Sequence, residues 1–516
     1  MVHNSQNRQL ATVAVFLVAL AICLALTRTR VSYSGNEASR LAMVESLIER
    51  STFAIDASPF VWTTDKVRID GRFYCDKPPL LPVLSAGEAW LLKHIFGISF
   101  SSHPRAWVYL LTVFSVGLSA AWLAALFFAD TGRLWGVQRT GARIEWTAAA
   151  WAGTLILTYC GTYNNHMPAA AFLYAGFSRF ARLVKSGERP FPEKSLFLTG
   201  LFAGFCWAMD FSIGTVFLAL FGLCVFVSER KSRRLRAVCW FALGAFLPIA
   251  ATALINVAMV GDPRPLYFYK GAYDYSGSHL LGGGFGGTHT PHKPVIYIFH
   301  ILFGYRGIFL YSPVLIPAVA GLIWYLRRGG ERWIKPVAAL VLVGNISSLA
   351  FYGLLTQGLG GWAYGFRYLV PTMPLLVFFL GPRWIEASGI RKRLFSVVLV
   401  ISVSLAAFGN FNPWSPCYEG ERVRQNALAS EVKTPLAANL VLLRAFIDPE
   451  SAPGSFFAKW LVDRDEAQAA AYMGISFLSR GDVHRAKLMF DYSLRLKPDP
   501  RIKAYIKALQ PMSRAY

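Results

Sequence analysis

The sequence predicts an all-α protein that crosses a membrane many times, and three observations carry that prediction. Only 16% of the 516 residues are charged while 54% are hydrophobic, where a soluble chain carries roughly a quarter charged residues. The mean hydropathy is +0.40. The apolar residues also gather into runs long enough to carry a helix through a hydrocarbon core of ~30 Å, with basic connections between them. The formal net charge of +23 is spread over those connections. It therefore reports membrane topology rather than a nucleic-acid surface, and no nucleic-acid partner is expected.

Taken in order, the first element is Leu10–Leu26. It is short for a span, but no small-residue cleavage site precedes Arg28, so it reads as a retained anchor. A long polar loop, residues 27–104, follows. Within it Glu37–Arg50 places Leu41, Val44, Leu47 and Ile48 on one helical face, and Pro79–Phe96 is apolar but interrupted by Glu88, Lys93 and His94. Both are expected as juxtamembrane helices lying on the bilayer surface. Between them Asp65, Lys66, Arg68, Asp70, Arg72, Asp76 and Lys77 crowd acids and bases together just before Pro78-Pro79. Proline presets the helical φ and needs no donor in a first turn, so this pair opens the second helix.

Ten further spans are expected near 106–129, 146–162, 167–184, 196–209, 213–228, 237–260, 307–326, 336–356, 368–381 and 394–409, about eleven with the anchor. Arg133, Arg139 and Arg143 fill one connection, and Arg230, Lys231, Arg233, Arg234 and Arg236 fill another. Arg327, Arg328, Arg332 and Lys335, then Arg383, Arg391, Lys392 and Arg393, fill two more. Basic connections stay in the cytoplasm. The loop 27–104, a second large loop 261–306 and the C-terminus then lie on the opposite side. Counting Pro79–Phe96 as a span would reverse this parity, which is why it is kept on the surface.

Residues 1–410 thus form a transmembrane domain and 411–516 a small helical tail. Ala467–Pro500 carries Gly474, Phe477, Gly481, Ala486, Phe490 and Pro498. That spacing resembles one tetratricopeptide repeat, a candidate docking site for a protein partner. One repeat cannot bury its own face, so it must pack on its surroundings. The glycine run at 282–287 lacks the strand–loop–helix setting of a phosphate cradle. His289 and His292 have ligand spacing but no evident third ligand. Of seven cysteines, Cys75 and Cys417 fall in polar loops, where a disulfide between them is conceivable.

An anchor helix followed by an acid, a surface helix, Tyr74-Cys75-Asp76-Lys77-Pro78-Pro79 and a second surface helix together resemble the GT-C superfamily. These are membrane glycosyltransferases using polyprenyl-phosphate-linked sugars, such as protein O-mannosyltransferases and aminoarabinose transferases of lipid A. Gly304–Leu315 and Gly360–Pro374 resemble further stretches of such enzymes. The resemblance implies an inverting transferase of the bacterial inner membrane that moves a sugar, on the periplasmic face, from a polyprenyl-phosphate donor to an acceptor hydroxyl whose class is not readable. Such transfer needs a base for the hydroxyl proton and cations for the departing phosphate. The implied base is Glu37, since Asn36 stands where relatives often carry Asp, with Asp56, Asp65 and Asp76 as rivals. Lys77 and Arg367 are expected at the phosphate, with Arg40 and Tyr368 beside them. Asn165 and His166 stand where relatives carry an acid in the next external loop, as hydrogen-bond donor and acid/base or phosphate ligand. No metal ligand set is expected and no cofactor is required, although a divalent cation is compatible with the resemblance. The alternative from another class is a non-catalytic transporter of lipid-linked saccharides or an envelope-assembly scaffold. Charges at span ends and the lack of an internal repeat favour the enzyme.

Overall fold

The computed structural model describes residues 2–32, 34–269, 271–276, 278, 293–356, 359–415, 434–455, 458, 466–500, 502, 503 and 506. The glycine run at 282–287, His289, His292 and Cys417 lie outside them. The described chain is a helical, polytopic, membrane-embedded bundle. Seven helices are long and apolar enough to cross a membrane: Arg8–Leu26, Pro104–Arg133, Phe211–Ser228, Lys231–Val260, Ile334–Leu355, Arg367–Ile385 and Gly389–Phe411.

The other four expected spans also fall on helices, but on shorter, broken or more polar ones. His166–Ser186 carries Arg179, Arg182 and Lys185 in its second half, and Glu193–Met209 begins with two charges. The expected span at 146–162 is split into Thr140–Trp151 and Leu155–Tyr159, where the Thr154 hydroxyl caps the second piece by accepting from Ile156 N at 3.4 Å. The one at 307–326 is interrupted at Ser312-Pro313, because Pro313 has no N–H for the helix ladder.

Packing inside the bundle relies on small residues. A Cβ on Gly200 would lie 1.9 Å from the Phe241 carbonyl, and one on Gly244 2.0 Å from that of Phe197. The helices Glu193–Met209 and Arg234–Val260 therefore pack backbone to backbone, as membrane helices do where the hydrophobic effect gives little help. Large apolar side chains such as Leu17, Leu235, Leu254 and Val400 point outward and are exposed, which suits lipid rather than water.

The loop between the first two spans holds three elements. Gly35–Arg50 is more enclosed than a helix resting on a bilayer needs to be, with residues 36–46 all buried beneath its neighbours. Leu80–Phe96 buries Leu80, Leu81, Ala86, Ala89 and Leu92 yet exposes Leu84, Trp90, Leu91, Ile95 and Phe96, an apolar outer face fit for the bilayer interface. Between them lies a β-hairpin that the all-α reading did not foresee. Lys66–Ile69 pairs antiparallel with Arg72–Cys75, Ile69 opposite Arg72 and Lys66 opposite Cys75. Asp70 and Gly71 both have positive φ, 49° and 81°, the two-residue turn whose twist matches paired strands.

In the tail, Glu466–Ser479 and Val483–Leu496 form an antiparallel hairpin in which Gly474 lies against the Phe490 ring. With Pro435–Ile447 they bury a second core around Leu442, Met473, Phe477 and Met489. The tail docks on the membrane part: Asn439 Nδ2 donates to Phe408 O at 3.5 Å, and the Gly481 turn sits against Val31.

Candidate active site

The hairpin explains the first half of the site. Because its strands run antiparallel, the residue before the first and the residues after the second emerge side by side. Asp65 and Asp76-Lys77 are therefore brought together. Lys77 Nζ lies 2.8 Å from Asp65 and 3.1 Å from Asp76, with all three side chains largely buried. Tyr273 donates its hydroxyl to Asp76 Oδ2 at 3.2 Å, and Arg68 N donates to Ala272 O at 2.7 Å, so the second large loop closes over the hairpin. Burial pushes the Asp76 carboxyl above the usual carboxylate range, with Asp65 adding to it against the pull of Lys77. Burial alone would lower the Lys77 ammonium. Asp65 and Asp76 outweigh it and hold Lys77 above the ordinary lysine value.

The buried helix Gly35–Arg50 supplies the second half. Its first two turns carry Asn36, Glu37 and Arg40. Glu37 is 2% exposed, so it is no solvated helix-start carboxylate. Its Oε2 accepts from Ser32 N at 3.1 Å and from the Ser32 hydroxyl, and its Oε1 accepts from Tyr163 N at 3.3 Å. Burial raises the Glu37 carboxyl, opposed by those donors and by the Arg28 charge. Arg40 donates to Asn36 O at 2.8 Å and to Asn36 Oδ1, and through Nη2 to Asn165 Oδ1 at 2.6 Å. Asn165 is itself held by donating to Met209 O at 2.8 Å. Burial lowers the Arg40 guanidinium, with Cys75, Tyr163, Arg367 and Asp76 near enough to act on it electrostatically.

The third part comes from the bundle mouth. His166 opens the helix His166–Ser186 and is 3% exposed, its Nδ1 lying 3.0 Å from Asp210 Oδ2. Arg367 enters from the segment Arg367–Ile385, stacked with Tyr368 at 5.5 Å and Trp414 at 5.2 Å. The Tyr368 ring lies 6.1 Å from that of His166. Arg40 is thus partnered by amides and Arg367 by rings. Neither guanidinium has a carboxylate within ion-pair distance among the described residues.

The residues that the resemblance implied for the site, Glu37, Arg40, Asp65, Asp76, Lys77, Asn165, His166, Arg367 and Tyr368, therefore lie in one polar neighbourhood. Sequence reasoning missed four others. Tyr273 and Tyr163 sit in loops with no motif, and Ser32 reaches Glu37 only through the local chain path. Asp210 was legible as an isolated acid between two apolar runs, an arrangement that marks function in membrane proteins. Cys75 is buried, accepts from the Ser39 hydroxyl at 3.1 Å and is unbridged among the described residues. The paired carboxylates face Lys77 rather than open space, and no three His, Cys, Asp or Glu side chains converge on a metal-sized site among the described residues.

No protein-family profile matches this sequence, and no curated protein does either. Solved structures do. ArnT from Cupriavidus metallidurans bound to undecaprenyl phosphate aligns over 94% of this chain and 79% of its own, at 13% identity with a TM-score of 0.51. The same protein in its apo state aligns over 92% and 76%, at 13% identity with a TM-score of 0.49. At this identity the likeness concerns architecture: the chain shares the fold of a membrane protein that binds undecaprenyl phosphate.

Proposed function

We propose that this protein is an inverting glycosyltransferase of the bacterial inner membrane, moving a sugar from a polyprenyl-phosphate donor to an acceptor hydroxyl at the periplasmic face. The observation that carries the reading is the grouping of Lys77, Arg40 and Arg367 at one mouth of an ArnT-like bundle, with neither arginine in an ion pair with a carboxylate among the described residues. A buried guanidinium without a counter-ion is costly unless an anion completes it. A lipid phosphate held at a membrane surface supplies that anion, and Arg and Lys provide the directed donors its oxygens need.

In this reading the lipid phosphate lies among Lys77, Arg40 and Arg367, with the polyprenyl chain along the apolar outer face of Leu80–Phe96. The acceptor oxygen bonds to the anomeric carbon while that carbon's bond to the phosphate oxygen breaks, and the phosphate leaves with the electron pair. The three cations hold the charge that develops on it. A basic group of the same cluster takes the hydroxyl proton, and Glu37, Asp65 and Asp76 are the carboxylates at hand. The tail, with its repeat-like spacing, is the natural place for a protein partner. The reading is tested by adding undecaprenyl phosphate to full-length protein in detergent and following its melting transition. Stabilisation that disappears in an Arg40→Gln, Arg367→Gln double variant supports it. No stabilisation at saturating lipid refutes it, and the sugar that accumulates on its lipid when the gene is removed identifies the donor.

A further inference from the structure

Each of the three candidate carboxylates of the cluster already has a partner, although Asp76 is engaged through Oδ2 alone. Asp65 and Asp76 both face Lys77, and Tyr273 adds a donor to Asp76. Glu37 has donors on both of its oxygens, two from Ser32 and one from Tyr163. Those contacts tie residues 32 and 163 to the start of the helix Gly35–Arg50, which is what a structural tether does. Two basic atoms of the cluster are buried without a hydrogen-bond partner among the described residues, Asp76 Oδ1 and His166 Nε2; Asp76 is already in an ion pair with Lys77 at 3.1 Å, whereas the His166 ring is paired with no cation. His166 Nε2 is fully buried and has no hydrogen-bond partner, while the ring's other nitrogen, Nδ1, faces Asp210 at 3.0 Å.

We infer that His166, oriented by Asp210, is the general base of the transfer, and that Glu37 holds the site together. The inference rests on the transferase reading given above and deepens it. A carboxylate accepting from Nδ1–H fixes the imidazole tautomer and leaves the lone pair on Nε2. The same division of labour orients the histidine of hydrolase triads. The surroundings place that lone pair where the chemistry happens. Asn165, the next residue, holds Arg40; Arg367 and Arg40 both act on the imidazole, and Tyr368 flanks the ring. Asp210 is held in turn, since it caps the helix Phe211–Ser228 by accepting from Ile213 N through its other oxygen. In the step itself the acceptor O–H gives its proton to His166 Nε2 as its oxygen bonds to the anomeric carbon. Asp210 stabilises the imidazolium, and the lipid phosphate departs with the electrons of the broken C–O bond. The proton leaves with the phosphate or to water on product release.

The test uses full-length protein with a panel of undecaprenyl-phosphate-linked hexoses and pentoses. Membranes of the source cell supply the acceptor, and release of undecaprenyl phosphate is the readout. His166→Gln should lose about a hundredfold or more in turnover, the range of a positioned general base, while undecaprenyl phosphate still stabilises it as it does the wild type. Asp210→Asn presents an amide to Nδ1 and should lower kcat with little change in KM, and Asp210→Glu should recover part of it. Added imidazole should restore turnover to His166→Ala, which a purely structural histidine would not allow. Wild-type turnover in His166→Gln overturns the inference, as does loss of lipid binding in step with activity, which would make His166 a phosphate ligand. Failure of imidazole rescue, or collapse of the melting transition in all of these variants, also overturns it by making the pair a folding element. If the wild type releases nothing from any donor, the transferase reading falls and the inference with it. An active wild type with an active His166→Gln removes only the inference.

Discussion

Lys77→Met isolates the electrostatics at the hairpin's open end. Methionine keeps the length and apolar stem of the side chain but removes the ammonium that lies 2.8 Å from Asp65 and 3.1 Å from Asp76. Two carboxylates then face each other with no counter-ion between them, and Asp76 is only 5% exposed. Stripping one partner from a buried pair costs about 3–5 kcal/mol, because the remaining charge is left in a poorly polarisable place. Part of that cost is relieved by protonation. Lys77 is the strongest influence lowering the Asp76 carboxyl, while burial and Asp65 already push it up, so the substitution raises it further. An acid whose folded value is raised binds its proton more tightly in the native state. Its favourable contribution is present below the unfolded value and is lost as pH rises through the folded one. The gap in melting temperature between wild type and Lys77→Met should therefore be wide at pH 8 and narrow towards pH 5. Adding Asp65→Asn should recover much of it at pH 8, since the like-charge contact is gone. The assay is thermal unfolding of the purified protein in detergent micelles at both pH values. A gap that does not change with pH, or no loss of stability at all, would refute this account of the cluster.

Three further outcomes follow from the same geometry. Glu37→Gln keeps the shape but supplies one acceptor oxygen where two now bind Ser32 and Tyr163; it should cost about 1–3 kcal/mol in stability while turnover falls less than that of His166→Gln. A hundredfold loss of turnover with an unchanged melting transition would return the base role to Glu37. Gly481 has φ of 75° and lies so close to Val31 that a Cβ would stand 2.7 Å from its carbonyl oxygen. Gly481→Ala should therefore loosen the tail by about 1–2 kcal/mol or more from the left-handed backbone alone, seen as faster proteolysis between residues 434 and 500. Single cysteines placed at Asp70 and Pro500, both exposed, should react with a membrane-impermeant thiol reagent added to spheroplasts, and protection of either would overturn the proposed orientation.

The amino-acid sequence by itself determined the bundle, because a run of apolar residues in a bilayer has no choice but to satisfy its own backbone as helix. It also offered candidates for the polar site. Glu37, Arg40, Asp76, Lys77, His166 and Arg367 were named through the resemblance of the motifs that hold them to those of the GT-C superfamily. The hairpin was readable too, through Asp70-Gly71, but four-residue strands in a stretch dense with charges carry little periodicity and were passed over. Pairing was what only the tertiary structure decided. Asp65 meets Lys77 because two strands run antiparallel, Arg40 meets Asn165 across 125 positions, and Asp210 reaches His166 across 44. A hydrogen bond depends on the positions of both ends to within a few tenths of an ångström. Local propensity places neither end relative to the other, so which polar groups meet could be seen only in the folded chain.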